Sequence, residues 1–306
     1  MSLVLILIAA PGQLDGALAD EARALLARAH GSRAGGGLAW LSPGEACEIP
    51  LFPADYSEAR EMRERIEREI GGGLFAGQPV DVALVQGHRR RKMLLVADME
   101  STIIAEECLD ELAGVAGVRR DVEAITRAAM RGELAFEGAL RERVRLLAGL
   151  GEDALARVRG RVTFTPGAHV LVATMKKHGA FTALVSGGFS CFARPVAEQA
   201  GFDVWQANAL AMADGKLTGE VEEPILGREA KRDALLAHRN RLGLGADATL
   251  AIGDGANDIA MIEAAGLGVA FRAKPALEAK AGARVRHGDL TAPLYLQGYR
   301  REDFAA

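Results

Sequence analysis

The chain opens on seven unbroken apolar residues, Leu3 to Ala9, after which apolar and polar positions alternate at helical spacing from Leu14 to Ala29. A run this short and rich in Leu, Ile and Val reads as a strand, since a membrane span needs ~20 apolar residues. No Lys or Arg precedes Arg23, so it also lacks the basic flank of a signal peptide. Two further short strands are expected around "GLAWL" and "CEIPL". Tyr56, Ala59, Met62, Ile66 and Ile70 then recur every three or four residues, the stripe of a second helix. Asp55 and Glu58 are spaced as its capping box, and the glycines 71 to 73 are expected to end it. The strand "VDVALVQ" closes a βαββαβ order, that of a split βαβ sandwich over residues 1–87.

The basic cluster His88 to Lys92 reads as a solvated linker between this unit and the next. Beyond it the period changes. "LLVAD", "TALVS", "TLAIGD" and "LGVAF" are short apolar runs separated by helical pattern, which predicts a parallel sheet with helices on both faces over 93–306. Between the first two runs, about 106–162, the pattern is helical throughout. Val118, Val122, Ile125 and Ala129 form one stripe and Phe136, Leu140, Val144 and Leu147 another, so a small bundle should stand over the sheet. "MADGKLTGEV" reads as a hairpin turning at Asp214-Gly215.

Composition narrows the function. With 49% apolar and 25% charged residues and a net charge of -4 over 306 residues, the chain is an ordinary globular protein in two units, without the basic excess that draws nucleic acid or an anionic membrane. Cys47, Cys108 and Cys191 are too widely spaced for a zinc site or a disulfide framework, which points to a reducing, cytoplasmic setting. None of the six histidines is paired at metal-ligand spacing. The glycine triplets at 35–37 and 71–73 lack the Gly-Lys-Ser/Thr of a phosphate loop and read as turns.

Candidate chemistry gathers at strand ends, where open parallel sheets bind ligands. "LLVAD" ends at Asp98, "TALVS" at Ser186-Gly187-Gly188 and "TLAIGD" at Asp254, with Asn257 and Asp258 just beyond and Lys231 on the helical segment between the last two. One such aspartate is explained as a helix cap. Three carboxylates together repel unless a hard cation joins them, and Mg²⁺ with an anionic, phosphate-bearing substrate suits that set.

"DMEST", "VSGGF", the Lys231 helix and "GDGAND" resemble the motifs of the haloacid dehalogenase superfamily of phosphatases. "ITRAAMRGELAFEGALRERVRLLAGL", "TPGA", "DGKLTGEV" and "GDGANDIAM…AGLGVAFRAKP" are similar, block for block over about 93–290, to its phosphoserine phosphatase family. The resemblance implies a Rossmann-like α/β core with a helical cap, and Mg²⁺-dependent hydrolysis of O-phospho-L-serine, the last step of L-serine biosynthesis. It implies an aspartyl-phosphate on Asp98. Glu100 would act as general acid and base, and Asp98, Asp254 and the Glu100 carbonyl would hold the metal, with Asp258 supporting it through water. Ser186, the Gly187 N–H and Lys231 would meet the phosphate, with Asn257 orienting them. Glu107 would read the substrate ammonium and Arg143 its carboxylate, while Met130 and Phe136, which by pattern alone are core residues, would close the pocket. By topology the first unit resembles an ACT-type domain, so amino-acid sensing or homodimer formation is expected of it.

One position departs from the family. Phosphoserine phosphatases usually carry aspartate two residues after the nucleophile, and this chain has Glu100. The pKa is similar, but the longer arm must be seated differently. A related phosphoserine:homoserine phosphotransferase also has Glu there, which keeps transfer to an alcohol open. A metal-binding regulator without catalysis would not need an intact nucleophile and lysine.

Overall fold

The computed structural model describes residues 2–30, 37–53, 61–62, 65–130, 133–227 and 229–305. The first unit is a four-stranded sheet of β1 (Leu3–Ala9), β2 (Ala39–Ser42), β3 (Ala46–Leu51) and β4 (Val80–Gln86) in the order β2-β3-β1-β4. All its pairings are antiparallel, as the split βαβ order requires. Leu3, Leu5 and Leu7 of β1 join Leu14, Ala22, Met62, Ile66 and Ile70 in one core. The expected capping box at Asp55 and Glu58, with Tyr56 and Ala59, lies outside the described residues. The glycines do not end the second helix: helical winding runs on through Glu67–Leu74 and closes with Phe75 N–H donating to the Ile70 carbonyl at 3.0 Å. Ile70 and Phe75 are both buried, and that burial offsets the roughly 1 kcal/mol each glycine costs in a helix.

The other face of this sheet is also covered. Val4, Ile6 and Ile8 of β1 and Val85 of β4 share a core with Leu294, Tyr295, Leu296 and Tyr299 of the second unit, which is why the opening run is apolar without alternation. The basic cluster is solvated only in part: His88, Arg89 and Arg91 are exposed, while Arg90 is half-buried and Lys92 buried. Arg90 donates to Glu48 at 2.7 Å, and buried Lys92 donates to the carbonyls of Arg89 and Asp247 at 3.0 and 2.6 Å. Burial holds the Lys92 ammonium below the ordinary lysine pKa, against the pull of Asp247.

The second unit is built on a parallel sheet of β5 (Leu94–Ala97), β6 (Phe181–Phe189), β7 (Val204–Asn208), β10 (Thr249–Gly253), β11 (Leu267–Phe271) and β12 (Ala283–Val285), ordered β12-β11-β10-β5-β6-β7. Two of these, β7 and β12, were not foreseen. Helices Ala168–Lys177 and Ser190–Ala200 cover one face, and Ala230–Arg241 and Ile259–Ala264 the other. The order reverses between β5 and β10, so the crevice of the doubly wound sheet opens beyond their carboxyl ends.

Between β5 and β6 stands the expected bundle, with helices Cys108–Ala116, Arg119–Met130, Phe136–Arg145 and Glu152–Arg159. Val122, Leu140, Val144 and Leu147 are buried in it. Its two connections to the sheet are tied together, Ala105 N–H to the Thr163 carbonyl at 3.0 Å and Thr165 N–H to the Ile103 carbonyl at 2.9 Å. The hairpin β8 (Leu210–Ala213) and β9 (Lys216–Val221) turns at Asp214-Gly215 as predicted, both residues at positive φ.

Candidate active site

Strand β5 delivers Asp98 to the crevice with its backbone still in the ladder, Asp98 N–H donating to the Ile252 carbonyl of β10 at 2.9 Å. Its neighbour β10 ends one residue before Asp254. Asp258 follows on a tight turn and folds its carboxylate back, accepting from the N–H of Asp254 at 3.1 Å and of Gly255 at 3.0 Å. A β-carbon on Gly253 would overlap that carboxylate, so the glycine gives the acid its room. Lys231 enters from its helix with Nζ 2.6 Å from both Asp98 Oδ1 and Asp258 Oδ1. All four are buried.

The charges do not balance within this group. One ammonium faces the carboxylates of Asp98, Asp254 and Asp258, whose oxygens lie within 4.8 Å of one another. Burial, reinforced by Asp258, pushes the Asp98 carboxyl well above the usual range despite Lys231. Burial likewise raises Asp254 to about 6, although Lys274, 3.8 Å away, pulls the other way. For Lys231, burial favours the neutral amine, and the two aspartates more than reverse that. A divalent cation among three hard oxygen donors would remove the excess negative charge, and the donor set suits Mg²⁺-type ions rather than zinc.

Beside the acids, β6 ends in a rigid donor array. Gly188 N–H donates to Ser186 Oγ at 2.9 Å, leaving the Ser186 hydroxyl proton to point elsewhere. Asn208, buried at the end of β7, donates to the Gly187 carbonyl at 2.8 Å and accepts from Leu226 N–H at 2.7 Å. Sequence reasoning missed both Asn208 and Lys274. A polar strand end, the signal that marked Ser186, would have marked Asn208 had "VWQAN" been read as a strand. Phe136 of the cap, Ser186, Gly187, Lys231 and Asn257 line one narrow cleft.

Glu100 lies in the turn Met99–Ile103 that follows Asp98, where Ser101 takes a strained positive φ of 54°. Its Oε1 accepts from Cys108 N–H at 2.8 Å. Burial and the charge of Glu107 raise Glu100 to about 7, against the Cys108 hydrogen bonds. Glu107 itself is exposed and accepts from the Ser101 hydroxyl at 2.8 Å. Arg143 makes one hydrogen bond among the described residues, from Nε to the Ala139 carbonyl at 3.2 Å, so its terminal nitrogens are open. Burial lowers its pKa while Asp110, Glu100 and Glu107 hold it up. The Met130 side chain lies outside the described residues.

A sequence profile of haloacid dehalogenase-like hydrolases matches residues 95–263. The chain belongs to that family. It is 44% identical over 83% of its length to a phosphoserine phosphatase of Streptomyces coelicolor, of which it spans 62%. Among solved structures it resembles a probable phosphoserine phosphatase of Vibrio cholerae at 32% identity and TM-score 0.74, over 99% of this chain and 88% of that one. It also resembles a phospho-aspartyl intermediate analogue of phosphoserine phosphatase at 41% identity and TM-score 0.63, over 67% of this chain and 98% of the other. The doubly wound core and the small antiparallel unit before it are thus both shared with solved relatives. None of the described helices is long and apolar enough to cross a membrane.

Proposed function

We propose that this chain hydrolyses O-phospho-L-serine to L-serine and phosphate with Mg²⁺, as the last step of L-serine biosynthesis. The observation that carries this reading is the buried Asp98-Lys231-Asp258 bridge, with Asp254 beside it, at the point where the strand order reverses. An Asp98 oxygen attacks phosphorus, the serine oxygen leaves with a proton from Glu100, and an aspartyl-phosphate remains. Glu100, now a carboxylate, takes a proton from water as that water attacks the aspartyl-phosphate. Lys231 lets Asp98 approach a dianionic phosphate. The Ser186 hydroxyl and the Gly187 N–H donate to its oxygens, and Asn257 at the cleft wall orients them. Mg²⁺ held by Asp98, Asp254 and the Glu100 carbonyl, supported by Asp258 through water, would neutralise charge on the phosphoryl group. Open donors on Arg143 suit the substrate carboxylate and Glu107 its ammonium, with Phe136, and Met130 by family resemblance, closing the pocket. The names of the similar phosphoserine phosphatases support the same substrate.

The test is phosphate release from a panel of phosphorylated metabolites, with and without Mg²⁺ and with homoserine as a competing acceptor. Phosphoserine should be the preferred substrate, only with the metal, and Asp98→Asn should be inert. Activity retained by Asp98→Asn after deamidation is excluded by mass spectrometry, or phosphohomoserine as the main product, would overturn the proposal.

A further inference from the structure

Glu100 is longer than the acid usual at its position, and its carboxylate needs somewhere to lie. It lies on Gly188. A β-carbon built on Gly188 would stand 2.7 Å from Glu100 Oε2, 3.0 Å from Cδ and 3.1 Å from Oε1. No conformational reason requires glycine there, since φ at Gly188 is not in the left-handed region. Only the space matters. The same carboxylate is held by Cys108 N–H at 2.8 Å from Oε1, at the first residue of the cap helices.

The strand end beneath is tied down by two hydrogen bonds. Gly188 N–H is bonded to Ser186 Oγ at 2.9 Å and the Gly187 carbonyl to buried Asn208 at 2.8 Å, so both sides of that peptide are held. An added methyl group would therefore displace the flexible acid and leave the sheet in place.

Resting on the reading of Glu100 as the acid and base, we infer that Gly188 is a positioning residue for Glu100: its bare α-carbon and the Cys108 N–H together form the seat that lets a glutamate work in this site. Shortening Glu100 to Asp withdraws the carboxylate by about one carbon–carbon bond, roughly 1.5 Å, which makes room for the methyl group.

The experiment is a cycle of Gly188→Ala, Glu100→Asp and the double variant, read in two ways. With phosphoserine and Mg²⁺, Gly188→Ala should lower kcat by roughly 10²-fold, within the range for losing a general acid, with KM little changed. The double variant should recover to within about threefold of Glu100→Asp alone, a rescue that general damage to the strand would not permit. By NMR, the Cys108 amide proton should shift upfield in Gly188→Ala as its acceptor leaves, whatever the enzyme turns over. A Gly188→Ala enzyme within about threefold of wild type, a double variant no better than Gly188→Ala, or an unmoved Cys108 amide would overturn the inference. A wild-type protein inactive on every phosphate ester would instead reject the phosphatase reading, while the amide shift still decides the seat.

Discussion

Asp81 is a buried acid in β4 of the first unit, and its partners are the backbone of the second. Its carboxylate accepts from Arg286 N–H at 2.8 Å, from Gly288 N–H at 2.8 Å, and from His287 N–H at 3.2 Å to each oxygen. A hydrogen bond to a charged group contributes about 1.5–3 kcal/mol, and an abandoned buried donor costs about 1–3 kcal/mol. These contributions overlap, so Asp81→Ala is expected to destabilise the whole chain by about 3–4 kcal/mol. Asp81→Asn keeps one acceptor oxygen but turns an NH₂ toward a backbone donor, and should cost about half as much, roughly 1–2 kcal/mol. Urea denaturation followed by fluorescence and by circular dichroism would measure both. One coincident transition should shift for the two variants, because the units share a core, and hydrogen exchange at the amides of 286–288 should accelerate. An Asp81→Ala protein within about 0.5 kcal/mol of wild type would refute the ledger. So would a transition that splits, with only the half belonging to the first unit displaced.

Arg143→Ala should lower kcat/KM for phosphoserine by roughly 10²-fold, the loss of about 3 kcal/mol of charged hydrogen bonding, while p-nitrophenyl phosphate is barely affected. Equal losses on both substrates would make Arg143 structural. Asp203 accepts from the Thr182 N–H at 2.9 Å and hydroxyl at 3.0 Å and pairs with Lys176 at 2.8 Å. Burial alone would raise its pKa, but Lys176 and Thr182 outweigh it and hold the carboxyl below its ordinary value. Its stabilisation is thus full above the unfolded-state pKa of about 3.9 and is lost as pH falls through the lower folded value. Asp203→Asn should therefore be less stable than wild type at pH 7, by a gap that narrows below about pH 4; a gap independent of pH in urea titrations would sink this.

The acids at the ends of β5 and β10 were legible because each stops a run of buried apolar residues, a place where only a cap or a ligand site explains a carboxylate. The cap helices Arg119–Met130 and Phe136–Arg145 were legible from their period, and the hairpin from its Asp214-Gly215 turn. What escaped notice depends on distance in sequence. β7 is an edge strand whose central residues Trp205 and Gln206 are exposed, so it lacks the apolar run that betrayed its neighbours. The role of Asn208 lies at a carbonyl 21 residues earlier, in the peptide between Gly187 and Gly188. Asp81 is a single acid within the apolar run of β4, and nothing near it in sequence shows the loop some 200 residues later that folds over it. The departure at Glu100 was visible as a substitution, but its accommodation by Gly188 is a matter of a few tenths of an ångström.

The attachment of the first unit also changes what it can be expected to do. A sheet of four short strands with one covered face is marginal, since small units bury too little surface to outweigh chain entropy. Here the second face, with Val4, Ile6, Ile8 and Val85, is completed by Leu294, Tyr295 and Tyr299, so removing residues 1–87 would uncover apolar surface on what remains. A truncated chain that aggregated would thus say nothing about amino-acid sensing or dimer formation. The contact is also a physical route to the site: Asp81 holds the loop that leaves β12, β12 pairs with β11, and β11 pairs with β10, at whose end Asp254 stands. Such a chain of ladder hydrogen bonds is stiff. A ligand on the first unit biases the acids through it only by favouring a second arrangement of the 286–288 loop, so Asp81→Asn should uncouple the two units while basal turnover of phosphoserine remains.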